Sequence, residues 1–236
     1  MTLGRFDVHF AVSTLGRYSA APRQGHVKAM LRVFGYLKYH MKRQILCNTE
    51  EPEFDKAKMV KHYWSELYPD AKEEYLPDMP TPKGKSLKIT TYFDADHAHD
   101  LETRRLVTGV VILLNKTPIQ WYSKRQATVE SSTYGSEMVA ARITTELTMA
   151  MRYRLRMLGV PIEGPVTMLG DNLSVVTNCT VSISTLKKKH NAIAYHRVRE
   201  AVAAGVINLV HVPTQDNLAD IMTKLLGPQQ HYPLMS

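Results

Sequence analysis

Three short β-forming runs follow one another between Leu87 and Tyr122, and they restrict the fold more than any other stretch of the chain. Leu87 to Phe93 alternates and is β-branched, as a half-buried strand is. Leu106 to Leu114 is more apolar, with Thr108 and Gly109 inside it. Asn115-Lys116 makes a turn, and Thr117 to Tyr122 supplies the third run. Strands joined by tight connections pair antiparallel, because parallel pairing needs a long crossover.

The chain then changes period. A helix is predicted from about Ser132 to Leu158, with Met138, Ala141, Leu147, Met151, Leu155 and Leu158 on its apolar side and Gly159-Val160-Pro161 as its stop. Val166 to Gly170 reads as a fourth strand running into Asp171-Asn172. A brief helix over Ser174 to Asn178, a basic helix over about Lys187 to Ala203, a strand over Val206 to Val212 and a short helix over about Asn217 to Leu225 follow. This order implies an α/β fold. Its mixed five-stranded sheet is antiparallel first, parallel after the helical crossover, and flanked by helices.

Upstream, apolar residues from Phe6 to Tyr18 and from Gln24 to His40 recur at helical intervals on either side of a break at Ala20-Ala21-Pro22-Arg23. Val27, Met30, Leu31, Phe34 and Leu37 form a stripe on the second helix. Residues 48–85 are acidic, then aromatic, then proline-rich, and read as a connector with limited regular structure. The expected organisation is a helical hairpin over 1–47, the connector, an α/β domain over 86–227 and a tail over 228–236.

Net charge narrows the class of partner. An excess of +8 favours an anionic one, nucleic acid first and an anionic membrane surface second. The two cysteines, Cys47 and Cys179, have no disulfide or zinc spacing. No apolar run reaches membrane-spanning length, and residues 1–12 lack a signal core. An intracellular, cytoplasmic setting is expected, without secretion or membrane insertion.

Four carboxylates stand at telling places. Asp94 follows the first strand, Glu137 lies in the first turns of the long helix, Asp171 is at the tip of the fourth strand, and Asp220 is in the final helix. Taken singly, each aspartate is an ordinary turn former or helix cap, and Glu137 an ordinary solvated helix residue. Together they surround one sheet, at strand ends where ligands of such folds collect. Clustered carboxylates repel and need cations, and hard oxygen ligands select Mg²⁺ or Mn²⁺. Two such ions about 3.5–4 Å apart clamp the attacking and leaving oxygens of a phosphodiester displacement. Asp96 has the parity of Asp94 on an extended strand and reads as a supporting or turn residue.

Residues 92–226 resemble the ribonuclease H domain of Ty1/copia-type retrotransposon polyproteins. The likeness runs in order through Asp94-Ala95-Asp96-His97-Ala98, Arg104-Arg105 with Thr108-Gly109, and Trp121-Tyr122-Ser123-Lys124-Arg125-Gln126. It continues through Ser131-Ser132-Thr133 leading to Glu137, Asp171-Asn172, Lys189-His190, Tyr195-His196, Val198-Arg199-Glu200, and Leu218-Ala219-Asp220 with Thr223-Lys224. Less specifically, Arg5 to Tyr18, Pro22, His26, Ala29 and Tyr36-Leu37-Lys38 resemble the end of a reverse transcriptase thumb.

The resemblance implies a nuclease that cuts the RNA strand of RNA–DNA hybrids with two Mg²⁺ ions (or Mn²⁺), beside a reverse transcriptase polymerase domain whose palm this chain lacks. It further implies that Asp94, Glu137, Asp171 and Asp220 are the catalytic, metal-binding set. Asp220 would hold its ion more loosely, and Glu137 would also help position the RNA ribose. A virus-like particle is the alternative location. Two departures stand out. Tyr134-Gly135-Ser136 precede Glu137 where many members carry an earlier acidic residue, and Thr214-Gln215 follow Val212-Pro213 where some ribonucleases H have a histidine. His211 is expected to be structural.

Positive charge is expected to track phosphates through Lys187, Lys188, Lys189, His190, His196, Arg197 and Arg199, extended by Arg104, Arg105, Lys124 and Arg125. Recognition would read hybrid shape and 2′-hydroxyls rather than base sequence. An inactive nucleic-acid-binding remnant is the alternative reading, and a DNA-cutting nuclease or integrase of the same broad fold is a third.

Overall fold

A computed structural model describes residues 4–54, 63–96, 105–127, 130, 132–186 and 189–235. Five strands form one sheet: β1 (Ile89–Asp96), β2 (Val107–Leu114), β3 (Thr117–Arg125), β4 (Val166–Gly170) and β5 (Ile207–His211). Their spatial order is β3-β2-β1-β4-β5. The first three pair antiparallel, whereas β4 joins β1 and β5 joins β4 in parallel. This is the mixed sheet that the order of elements implies, and its arrangement is ribonuclease H-like, as the family resemblance implies.

Side chains on β2 show how the sheet is covered. Val110 and Ile112 enter one apolar cluster, while Val111 and Leu113 enter another. Because alternate residues of a strand face opposite ways, the sheet is packed on both faces. The larger cluster lies under α3 (Thr133–Met157), α4 (Leu173–Thr180) and α5 (Ala192–Ala203). Small buried residues on α3, among them Ala140, Ala141, Thr144 and Thr145, let that helix come close to the sheet. On the opposite face Phe6, Ile221 and Met222 meet Val111 and Trp121, and the Phe6 and Trp121 rings lie 5.6 Å apart.

Two N-terminal helices, α1 (His9–Gly16) and α2 (Gln24–Tyr39), pack on each other. α2 buries none of its residues, and its stripe leaves Leu31 and Phe34 exposed. The connector is anchored where described. Trp64 is buried, and the Glu73 carboxylate binds Arg152 at 2.7 Å and also Arg156 on α3. Tyr68 hydrogen-bonds His196 at 2.7 Å. Residues Pro228–Leu234, expected as tail, form α6, and Leu234 reaches the second apolar cluster. Among the described residues no helix is long and apolar enough to cross a membrane.

Candidate active site

Asp94 differs from its expected place at a strand end. β1 continues to Asp96, so Asp94 lies within the strand opposite Gly109 of β2. The parallel partner β4 ends at Gly170, and its pairing with β1 covers only Thr90 to Tyr92. Asp94 therefore extends past the end of one neighbour while the other still pairs it. Asp171 follows at the end of β4, just before Asn172, whose side chain caps α4 by accepting from the Val175 amide at 3.2 Å.

Glu137 is brought to the same place by the start of α3. Ser132 caps that helix, its hydroxyl accepting from the Gly135 amide at 3.2 Å. Gln126, at the exit of β3, donates to the Ser136 carbonyl at 3.0 Å and to Thr108 Oγ1 at 2.9 Å. That side chain joins the helix to the sheet one residue before Glu137. Carboxylate oxygens of Asp94, Glu137 and Asp171 lie within 4.8 Å of one another.

Asp220 stands apart from that trio. The final helix is a short 3-10 turn, Leu218–Met222, rather than an α-helix over Asn217 to Leu225. Asn217 anchors it by donating to the Phe93 carbonyl at 3.0 Å, and Ser123 donates to the Met222 carbonyl at 2.6 Å. The Lys224 ammonium meets Asp220 Oδ1 at 2.8 Å and Asp94 Oδ2 at 3.4 Å, and the Thr223 hydroxyl donates to Asp94. Thr223, Lys224 and Gln126 stand in the sequence motifs without a predicted site role. A polar residue that contacts a site across the fold leaves no periodic signal.

The electrostatics follow from burial. Asp94 is 2% and Glu137 3% exposed. Burial, opposed by Lys224 and reinforced by Asp220, pushes the Asp94 carboxyl up to about 7. Burial, together with the charges of Asp94 and Asp171, holds Glu137 well above its ordinary range. Asp220 is raised by burial against the opposing pull of Lys224. Glu137 Oε2 is buried without a hydrogen-bond partner. A buried anionic oxygen left unpaired is costly, and a divalent cation among these oxygens would offset that cost.

No protein-family model matches the chain. Over 224 residues, 94% of its length, it is 28% identical to the retrovirus-related Pol polyprotein from transposon RE1 of Arabidopsis thaliana. Its sequence is similar to copia-type Pol polyproteins along most of its length. A second relative, the Pol polyprotein from transposon TNT 1-94 of Nicotiana tabacum, is 30% identical over 135 residues, 57% of the chain. The chain spans 13% of the RE1 polyprotein and 10% of the TNT 1-94 one. The solved structure of LC11-RNase H1 in complex with an RNA/DNA hybrid is 17% identical, with a TM-score of 0.46. The likeness covers 58% of this chain and 94% of that one.

The basic residues of the chain fall into separate groups. Lys124, Lys189 and His190 are exposed, and Arg105 and Arg125 are half-buried. Arg104, Lys187 and Lys188 lie outside the described residues. His190 lies 3.4 Å from Glu130, and Arg197 pairs with Glu200 at 2.9 Å. Arg199 is a correction. It is 2% exposed and donates to the carbonyls of Asn178 at 2.8 Å, Val181 at 3.0 Å and Ser182 at 2.6 Å, between the Trp64 and Tyr195 rings. A guanidinium enclosed this way, with Nη1 and Nη2 on internal carbonyls, is not presented to a phosphate. His211 points to the backbone, its Nε2 lying 3.1 Å from the Asp171 carbonyl oxygen.

Proposed function

We propose that the chain hydrolyses the RNA strand of RNA–DNA hybrids with divalent metal ions, as part of the reverse-transcription machinery of a retrotransposon. The observation that carries this reading is the convergence of Asp94, Glu137 and Asp171 from three different elements onto one small buried region. Three carboxylates held this close are unfavourable unless protonated or shared by a cation, and the unpartnered Glu137 oxygen favours the cation. Asp94, Glu137 and Asp171 would hold the ions, with Asp220 completing the set. Bound Mg²⁺ supplies Lewis acidity at the phosphate and lowers the pKa of water, so no protein nucleophile is required.

The chain's own part is to fix the geometry. Asp94 is held by the sheet and Thr223, Glu137 by the capped start of α3, and Asp171 by the end of β4. Lys124, Lys189 and His190 are exposed and would meet phosphates. The relation to Pol polyproteins supports a hybrid as substrate and a polymerase domain as partner.

Purified chain incubated with a labelled RNA–DNA hybrid and Mg²⁺ tests the reading. Cleavage restricted to the RNA strand and lost in Asp94→Asn is expected. Hybrid binding without cleavage in the unsubstituted chain would instead identify an inactive remnant, and cleavage of duplex DNA would identify a different nuclease.

A further inference from the structure

Asp94 takes part in two arrangements. It shares one with Glu137 and Asp171, and the other with Asp220 through the ammonium of Lys224. We propose that Lys224 is the resident counter-cation of the site: its ammonium holds the position between Asp94 and Asp220, so the chain binds one divalent ion tightly and a second only as Lys224 withdraws. This rests on the metal-dependent reading above and adds an order of binding to it.

Lys224 is well held where it stands. It follows Asp220 by four residues, at the end of a 3-10 turn pinned to β1 by Asn217 and to β3 by Ser123. Its side chain is only 28% exposed, so the ion pairs are partly shielded from solvent. One positive charge serves two carboxylates there, as a divalent ion would. Like charges at that separation exclude each other, so ammonium and metal compete for the same oxygens. The group of three leaves Asp220 out, so the first ion does not need the oxygen that Lys224 holds most closely. Lys224 also borders a cavity of about 350 Å³ lined by Asp7, Tyr36 and Ile221, which provides room for the displaced side chain.

The test is a Mn²⁺ titration of the full chain, with free ion read by electron paramagnetic resonance. The unsubstituted chain is expected to bind one ion, with a second weaker by about tenfold or more. Lys224→Met should close that gap by about tenfold, and Lys224→Arg, which keeps the charge, should preserve it. Circular dichroism checks that each variant folds, and Lys224→Gln replaces Lys224→Met if the latter does not. Two binding constants in the neutral variant within about twofold of the unsubstituted ones would overturn the role of Lys224 and leave the metal centre standing. Absence of Mn²⁺ binding in the unsubstituted chain would overturn the metal centre itself, and this proposal with it.

Discussion

Thr223 lies directly over Gly109, so close that a Cβ built on the glycine would stand 2.6 Å from Thr223 Cγ2. The same Cβ would meet Met222 Cβ at 2.7 Å and the Ala219 carbonyl oxygen at 2.8 Å. Gly109 is also the cross-strand partner of Asp94. One missing side chain therefore lets the turn that carries Asp220, Thr223 and Lys224 settle beside Asp94.

Gly109→Ala is expected to push that turn off the sheet. The backbone oxygen of Ala219 cannot rotate away as a side chain could, so overpacking should cost about 1–3 kcal/mol. Urea denaturation measures the loss. Hydrolysis should fall further than stability explains, because Thr223 and Lys224 move with the turn. A fully stable and active Gly109→Ala protein would show that the close approach is dispensable.

Stability without divalent ions should fall as pH rises. Asp94 is raised to about 7, and Glu137 and Asp220 are also raised, whereas in the unfolded chain such groups titrate near about 4. Between these limits the folded chain binds more protons than the unfolded one. The contribution is full below about pH 4 and is lost as pH climbs through about 7. Thermal melts in chelator from about pH 5 to about pH 8 should show the decline. Asp94→Asn should flatten it, and Mg²⁺ should restore the melting temperature at the alkaline end. A melting temperature that rises across this window would contradict the buried carboxylate cluster.

Glu73 should matter far more than an exposed acidic residue. Hydrogen bonds from Arg152 and Arg156 overcome its burial and hold its carboxyl down at about 2. Arg152 has a side chain only 4% exposed and would keep a buried charge without its partner. Glu73→Gln is expected to destabilise the chain by about 3 kcal/mol, against less than about 0.5 kcal/mol for Glu146→Gln at an exposed helix pair. Its contribution is present above the ordinary glutamate range and is lost as pH falls through about 2. Equal losses in the two variants would refute the anchoring of the connector through Glu73.

Arg199→Ala and Lys189→Ala should separate structure from substrate contact. Removing Arg199 strands several partly buried carbonyls and should cost about 3 kcal/mol in stability. Lys189 is exposed, so its loss should leave stability unchanged, weaken hybrid binding and lower the salt slope by about one unit. Chemical denaturation and a salt titration of hybrid affinity read the two effects. A salt slope altered by Arg199→Ala in a folded protein would return that residue to the phosphate surface.

Local pattern made much of this molecule legible. Alternation marked β1 to β3, and a 3.6-residue period marked α3, because those signals lie within a single element. The places of Glu137 and Asp171 could be read for the same reason, since each stands at or near an element boundary, whereas Asp94 lies within β1. The length of β1 was not legible, because its last residues are held by pairing with β2 rather than by their own composition. Arg199 was misread because a basic residue on a helix looks alike whether its donors meet water or carbonyls.

The sequence by itself determined the order of elements, the mixed sheet and the residues that could bind metal, since periodicity, turn chemistry and charge are properties of neighbours along the chain. Tertiary structure alone decided that Lys224 bridges Asp94 and Asp220, that Glu73 binds Arg152, and that Gly109 makes room for Thr223. Each of these joins residues at least 79 positions apart, apart from the Lys224–Asp220 pair within one turn. Such contacts depend on how the sheet's two faces are covered, and that is settled by packing of the whole chain.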